Sequence, residues 1–263
     1  MVISHDISGV NIACWVNNQS FSPGKKTLFF VHGSGGDHSI WGEQYMRLKD
    51  EFNVAAIDLP GHGLSGGRGE QDVPAYVEWV RRFLDLLALK RPVLVGHSLG
   101  AAISLVFAIK YGDMLSAIVP VGGGARMPVN AMILEGLKTD PAPVIALAAK
   151  FSVTKENRER LSRIVIEGLS RANPDILHGD LLACDRLDIQ NEIATIAKPT
   201  LVICGADDKM TPPGLSLFLR DNIPGAQLSL IENAGHMAMM ENPEAFNGAL
   251  KSFVLSLPDM ERR

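Results

Sequence analysis

Two stretches of the chain read glycine, any residue, serine, any residue, glycine: Gly96-His97-Ser98-Leu99-Gly100 and Gly63-Leu64-Ser65-Gly66-Gly67. The chemistry this pattern serves is nucleophilic attack by a serine hydroxyl. A sharp strand-to-helix turn lifts the oxygen clear of the backbone, and the flanking glycines give the turn room. By composition alone the pattern arises in roughly one chain in ten of this length, so the flanks must decide. Ser98 follows the strand-like run Pro92–Gly96 and precedes the apolar, helix-like run Leu99–Lys110. A helix starting there offers free N–H groups and a dipole that favours developing negative charge. Ser65 follows a turn-rich loop and has no apolar helix behind it. Ser98 is therefore the candidate nucleophile; the competing reading is an ordinary helix-capping serine.

A neutral serine needs a neighbouring base. Of seven histidines, His236 stands in Glu232-Asn233-Ala234-Gly235-His236-Met237, directly after the last strand-like run. Ligands of open α/β sheets bind at that carboxyl edge. His97 adjoins Ser98 in the chain, but the turn should aim its side chain elsewhere. His32 and His62, in loops at strand ends, read as structural, and His5, His38 and His178 have no supporting context. The base in turn needs an acid to fix its tautomer. Asp207 and Asp208 both follow the strand-like run Thr200–Cys204, and the residues alone leave the two open.

These groups must be carried by a scaffold. Short apolar runs alternate with helical patterns, which is the signature of a parallel sheet with crossover helices. The opening differs: two strand-like runs flank Ser8-Gly9, a hairpin turn. Further strands are expected at 27–31, 53–58, 92–96, 115–121, 200–204 and 226–231. From Ala125 to Ala197 the alternation stops and only helical patterns remain, near 129–137, 143–150, 155–170 and 174–187. The expected organisation is an α/β core over 1–124 and 198–263 with a helical insertion over 125–197, after the sixth strand.

Composition narrows the function. The net charge is −4 and no run of Lys and Arg exceeds two residues, so a nucleic-acid surface is not expected. Three sparse cysteines make no disulfide framework or zinc motif, which fits a reducing compartment. The amino-terminal residues do not read as a signal peptide and no apolar run is long enough to span a bilayer. A cytoplasmic protein that needs no metal or cofactor, a monomer or homodimer, is the expectation. The Gly33–Gly36 stretch lacks the Lys-Ser/Thr of a phosphate loop and the spacing of a dinucleotide fingerprint.

Four segments together resemble the α/β-hydrolase superfamily, in its serine-nucleophile branch, over essentially the whole chain. They are His32-Gly33-Ser34-Gly35-Gly36 with Trp41 downstream; Asp58-Leu59-Pro60-Gly61-His62-Gly63-Leu64-Ser65; Gly96–Gly100; and Gly205-Ala206-Asp207-Asp208 with Gly235-His236. The resemblance implies a mostly parallel eight-stranded sheet with helices on both faces, and residues 125–197 as a helical lid. It implies a Ser98–His236–Asp208 triad in the chain order usual for this fold, with the acid at the last position of Gly205–Asp208 rather than at Asp207. It also implies an oxyanion hole from the backbone N–H groups of Ser34 and Leu99, with Gly33, His97 and Met237 near the substrate.

The implied reaction is hydrolysis of a small carboxylic ester, thioester or lactone. Relatives that open haloalkanes or epoxides carry aspartate where this chain has Ser98. Serine hydrolases of C–C bonds usually carry asparagine where it has His97, which weakens that alternative without removing it. Cofactor-free perhydrolases and hydroxynitrile lyases use the same three residues, and a small-ligand receptor of this fold with slow turnover is the alternative outside enzymes. Met237 stands where many relatives have an aromatic residue. Met239 and Met240 are further candidates for the pocket wall, and Arg126 is a candidate carboxylate anchor or hinge ion pair.

Overall fold

The computed structural model describes residues 1–18 and 21–258. Strands β1 (Val2–Ile7) and β2 (Val10–Val16) form an antiparallel hairpin, and both turn residues, Ser8 and Gly9, have positive φ, as a two-residue primed turn requires. β2 runs antiparallel to β4 (Asn53–Ile57), and from there the sheet is parallel. β3 (Thr27–Val31), β5 (Val93–His97), β6 (Ala117–Val121), β7 (Leu201–Gly205) and β8 (Gln227–Ile231) complete an eight-stranded sheet of order β1-β2-β4-β3-β5-β6-β7-β8.

The central strands are buried along their whole length, because helices cover both faces. Alternate residues of β3 enter different cores. Phe29 and Val31 join the face packed by Tyr76 and Phe83 of α2 (Val73–Leu86) and Phe107 of α3 (Leu99–Tyr111). Leu28 and Phe30 join the face packed by Trp41, Leu48 of α1 (Gly42–Leu48) and Phe246 and Phe253 near the carboxyl end. α3 is apolar all round and buried from Leu99 to Ala108, as expected of a helix behind the central strand.

Four helices lie between β6 and β7: α4 (Ala131–Thr139), α5 (Pro141–Ser152), α6 (Arg158–Arg171) and α7 (Pro174–Asp185). Leu137, Ile145 and Leu177 give them a small apolar cluster of their own. Their starts differ by two or three residues from three of the expected ones, for local reasons. Asn130 caps α4 by accepting from Met132 N–H, and Pro141 rather than Pro143 opens α5. Before α6, Thr154 N–H is taken by Glu241, which holds 154–157 in a turn. α8 (Pro213–Asn222), the four-residue α9 (Ala238–Glu241) and α10 (Pro243–Ser256) complete the chain. No helix among the described residues is long and apolar enough to cross a membrane.

Candidate active site

Ser98 sits between the last residue of β5 and the first of α3, with φ 54° and ψ −112°. A non-glycine residue there costs about 1–3 kcal/mol and persists only when its surroundings enforce it. The enforcement is visible. Ser98 N–H donates to Val121 O at 2.9 Å, and its carbonyl accepts from Ala101 and Ala102 as α3 begins. A Cβ at Gly96 would come within 1.9 Å of Gly100 O, so only glycine lets the strand turn this tightly into the helix.

Two backbone N–H groups near Ser98 in the chain or the fold are left for other partners. Leu99 N–H opens α3, and among the described residues it has no protein acceptor; Ser34 N–H has none either. The 33–36 loop after β3 is closed by Gly36 N–H on Gly33 O at 3.0 Å. It abuts the serine: a Cβ on Gly33 would lie 3.0 Å from Ser98 Cβ.

His236 follows β8, and its Nδ1 lies 2.9 Å from Asp208 Oδ2. The adjacent carboxylate places the proton on Nδ1 and leaves the Nε2 lone pair free. Asp208 follows β7 and is fully engaged. Its Oδ2 also accepts the Thr211 hydroxyl at 2.8 Å, and its Oδ1 accepts Met210 N–H and Thr211 N–H, each at 2.9 Å. Burial works to raise its pKa; the His236 charge and these hydrogen bonds outweigh burial and hold the carboxyl below its ordinary value. Asp207 is exposed to solvent, so of the two candidate acids the fold brings only Asp208 to the histidine.

His236 is also held through its backbone. Gly235 N–H donates to Glu241 Oε1 at 2.7 Å, and His97 Nε2 donates to the His236 carbonyl at 2.9 Å. His97 is buried, its ring 4.6 Å from that of His236, and burial together with the His236 charge lowers its pKa to about 3. It is a neutral donor beneath the site. His32 is likewise neutral: its Nε2 accepts Leu59 N–H at 3.0 Å, and burial, with the charge of His62 added, takes its pKa down to about 4.

Ser98, His97, His236, Gly33, Ser34 and Met237 all line one cavity of about 390 Å³. Its other walls come largely from α4 to α7: Ile133, Leu137, Ile145, Phe151, Ile164 and Leu169 are among them. Met240 also contributes, whereas Met239 is wholly buried in the core and leaves the lining. Arg126 is exposed and does not line the cavity; its backbone bridges to Asp188. Ser65 braces a loop, donating to Asp58 O at 2.6 Å and accepting Ala13 N–H at 2.8 Å. No cysteine offers a competing nucleophile: burial pushes the Cys184 and Cys204 thiols up to about 12, and Cys14 higher still.

Three buried groups outside the expected set pack around these residues: Thr211, Glu241 and Asp180. Thr211 had a readable signal, since an Asp that caps its own following backbone brings the residue three positions on beside its carboxylate. Glu241 and Asp180 had none, because each looks locally like an ordinary acid on a helix.

The sequence profile of the alpha/beta hydrolase family matches residues 28–249. The chain belongs to that family. Its relatives include a pimeloyl acyl-carrier-protein methyl ester esterase of Neisseria meningitidis serogroup A, 26% identical over 248 residues, which cover 89% of this chain and 78% of that protein. A 2-hydroxy-6-oxononadienedioate/2-hydroxy-6-oxononatrienedioate hydrolase of Paraburkholderia phymatum is 27% identical over 266 residues, covering 88% of each. Among solved structures, one of a thermophilic esterase is 31% identical, covers 97% of each chain and superposes with a TM-score of 0.80. Family membership and the eight-stranded fold agree with what the motifs implied, and the hairpin entrance to the sheet agrees with the reading of Ser8-Gly9 as its turn.

Proposed function

We propose that the protein is a serine hydrolase that cleaves a small carboxylic ester, or a thioester or lactone, through an acyl-enzyme. The observation that carries this reading is that His236, paired through Nδ1 with the buried Asp208, lines one cavity with the strained turn bearing Ser98. Ser98 Oγ adds to the carbonyl carbon while His236 Nε2 takes its proton. The carbonyl electron pair moves onto oxygen, and the N–H groups of Ser34 and Leu99 receive the oxyanion. Collapse expels the leaving group, which collects the proton from His236 and leaves Ser98 acylated. A water molecule activated by the same histidine then releases the acid.

Among the described residues the Ser98 hydroxyl makes no protein hydrogen bond; such contacts commonly tighten only when substrate arrives. Residues 125–197 serve in this reading as the lid. Its aliphatic lining supports an apolar acyl or ring group in the substrate. We assign the protein to the cytoplasm, as a monomer or homodimer with no metal or cofactor. The name of the Paraburkholderia relative favours a second reading, hydrolysis of a C–C bond beside a ketone. Arg171 and Lys209, which line the cavity and reach solvent, would meet the carboxylates of such a substrate.

The test is turnover of p-nitrophenyl esters of increasing acyl length by the protein and by Ser98→Ala. Loss of the nucleophile should cost on the order of 10⁴–10⁶ in rate. Hydrolysis by Ser98→Ala at the parent rate removes the central assignment. An inert parent that turns over a dienoic diketo acid selects the second reading. A parent that binds ester, shifts in Tm and turns over once or slowly is a receptor.

A further inference from the structure

Asp180 lies within α7 and is fully buried. Its carboxylate gathers donors from three other parts of the chain. Oδ2 accepts Gly35 N–H at 2.9 Å, from the loop after β3, and His62 Nε2–H at 2.8 Å, from the loop after β4. Oδ1 accepts the Tyr76 hydroxyl of α2, which in turn accepts Glu70 N–H at 2.9 Å. The other nitrogen of His62 lies 3.0 Å from Pro60 O, so both ring nitrogens face acceptors and the imidazolium satisfies both. Every polar atom of the cluster has a partner, as a buried charge requires.

The position of one donor matters most. Gly35 N–H belongs to the peptide that follows Ser34, and Ser34 N–H is the proposed oxyanion donor. The loop has three anchors around that donor: the Gly36-to-Gly33 turn, His32 Nδ1–H on Gly33 O at 2.8 Å, and the Asp180 carboxylate, which alone holds the Gly35 N–H. Leu177 of α7 and Leu169 of α6 crowd the same loop, the nearest atoms lying 3.0 and 3.2 Å from where a Gly35 Cβ would stand.

Resting on the hydrolase reading above, we propose that Asp180 is a positioning residue: by holding Gly35 N–H from α7, it aims Ser34 N–H at the oxyanion, so that the catalytic loop is set only when this helix is docked. It touches no reacting atom. Its effect should therefore appear in the transition state and not in ground-state binding.

The experiment measures kcat, KM and the affinity for a trifluoromethyl ketone, which forms a hemiketal oxyanion on Ser98. Asp180→Ala removes the acceptor. Asp180→Leu combined with His62→Leu and Tyr76→Phe removes all three polar side chains of the cluster, and replacing a buried charged network by apolar groups of similar size is often neutral or stabilising. Tyr76→Phe alone leaves the Gly35 bond in place and serves as the control. Removing one oxyanion donor outright costs roughly 10²–10³ in kcat. Misaiming it should cost about ten- to a hundred-fold in both acceptor-free variants, with KM within about three-fold and ketone affinity falling in step with kcat/KM. Tyr76→Phe should lower Tm and leave kcat unchanged.

The idea is overturned if a folded acceptor-free variant keeps the parent kcat and ketone affinity. It is also overturned if the loss lies in KM, or if Tyr76→Phe loses as much kcat as Asp180→Ala. A parent without ester turnover, or a Ser98→Ala variant that retains it, is a different failure: it removes the hydrolase reading itself.

Discussion

Asp208 receives four hydrogen bonds, from His236 Nδ1, the Thr211 hydroxyl and two backbone N–H groups, and each fixes a different degree of freedom. The two backbone bonds fix the plane of the carboxylate, the hydroxyl steadies Oδ2, and what remains is the oxygen facing the histidine. Asp208→Asn keeps the shape but can turn an amide N–H toward Nδ1, which favours the wrong tautomer. Its kcat should fall about 10³–10⁴-fold with the fold intact, read from ester turnover beside a Tm measurement. An Asn variant within ten-fold of the parent would show that the carboxylate does not orient the base. Thr211→Val removes one bond to a charged oxygen and should cost about 1–3 kcal/mol in urea unfolding. The residues alone left Asp207 and Asp208 equal, because both follow the same strand. The choice lies in a backbone direction that only the folded loop defines: one carboxylate turns inward and the other to solvent.

At the scale of elements, the turn from β5 into α3 stores strain at the residue that is asked to react. A side chain at φ 54° is unfavourable whatever its chemistry, so the strain belongs to the Cβ and not to the hydroxyl. Ser98→Ala should keep the strain, and Ser98→Gly should release it. Glycine at this position should be more stable than alanine by roughly 1 kcal/mol, even after its larger chain entropy is counted. Both variants should be inactive, and urea unfolding of the pair under one condition decides. Equal stability would mean that the turn carries no strain.

The sheet was legible because each central strand is a short apolar run closed by turn residues, and burial on both faces demands that pattern. The Ser8-Gly9 hairpin was legible for the same kind of reason. The helices of 125–197 were legible as helices, though their starts were set by caps and by Glu241, which lies far along the chain. α9 was not legible, since four residues are too few to show a period. The cavity lining was not legible either. It is assembled from the loop after β3, the turn at Ser98, the loops after β7 and β8, and α4 to α7 with Met240 of α9, and no local pattern records which faces meet.

Across the whole molecule, the buried histidines divide by charge and so set how stability depends on pH. His97 and His32 are held neutral, their pKa values lowered from 6.5 to about 3 and about 4. Between those values and 6.5 the unfolded chain binds a proton at each that the native chain refuses, so stability falls as pH falls. Each site contributes about 1.4 kcal/mol per pH unit, and together near pH 5 they contribute about 2.7. Asp208 adds a further loss at lower pH, because its folded pKa lies below the ordinary carboxylate value.

His62 and His38 have the opposite sign. Burial lowers the pKa of His62, but the charge and hydrogen bond of Asp180 outweigh it, and the hydrogen bond to Asp58 raises that of His38. What these two contribute is fully present below 6.5 and is lost as pH rises through their raised values. Stability should therefore peak near pH 6–7 and fall on both sides. Urea unfolding from pH 4 to 9 measures the curve, and two variants assign its limbs. His97→Asn should reduce the acid slope near pH 5 by about one proton's worth, about 1.4 kcal/mol per pH unit, and leave the alkaline limb alone. His62→Gln should flatten the alkaline limb, because the charge that holds the Asp180 cluster together is then no longer titratable. An acid slope unchanged in His97→Asn would mean that this imidazole is protonated in the folded protein. The neutral donor beneath the base would then have to be abandoned.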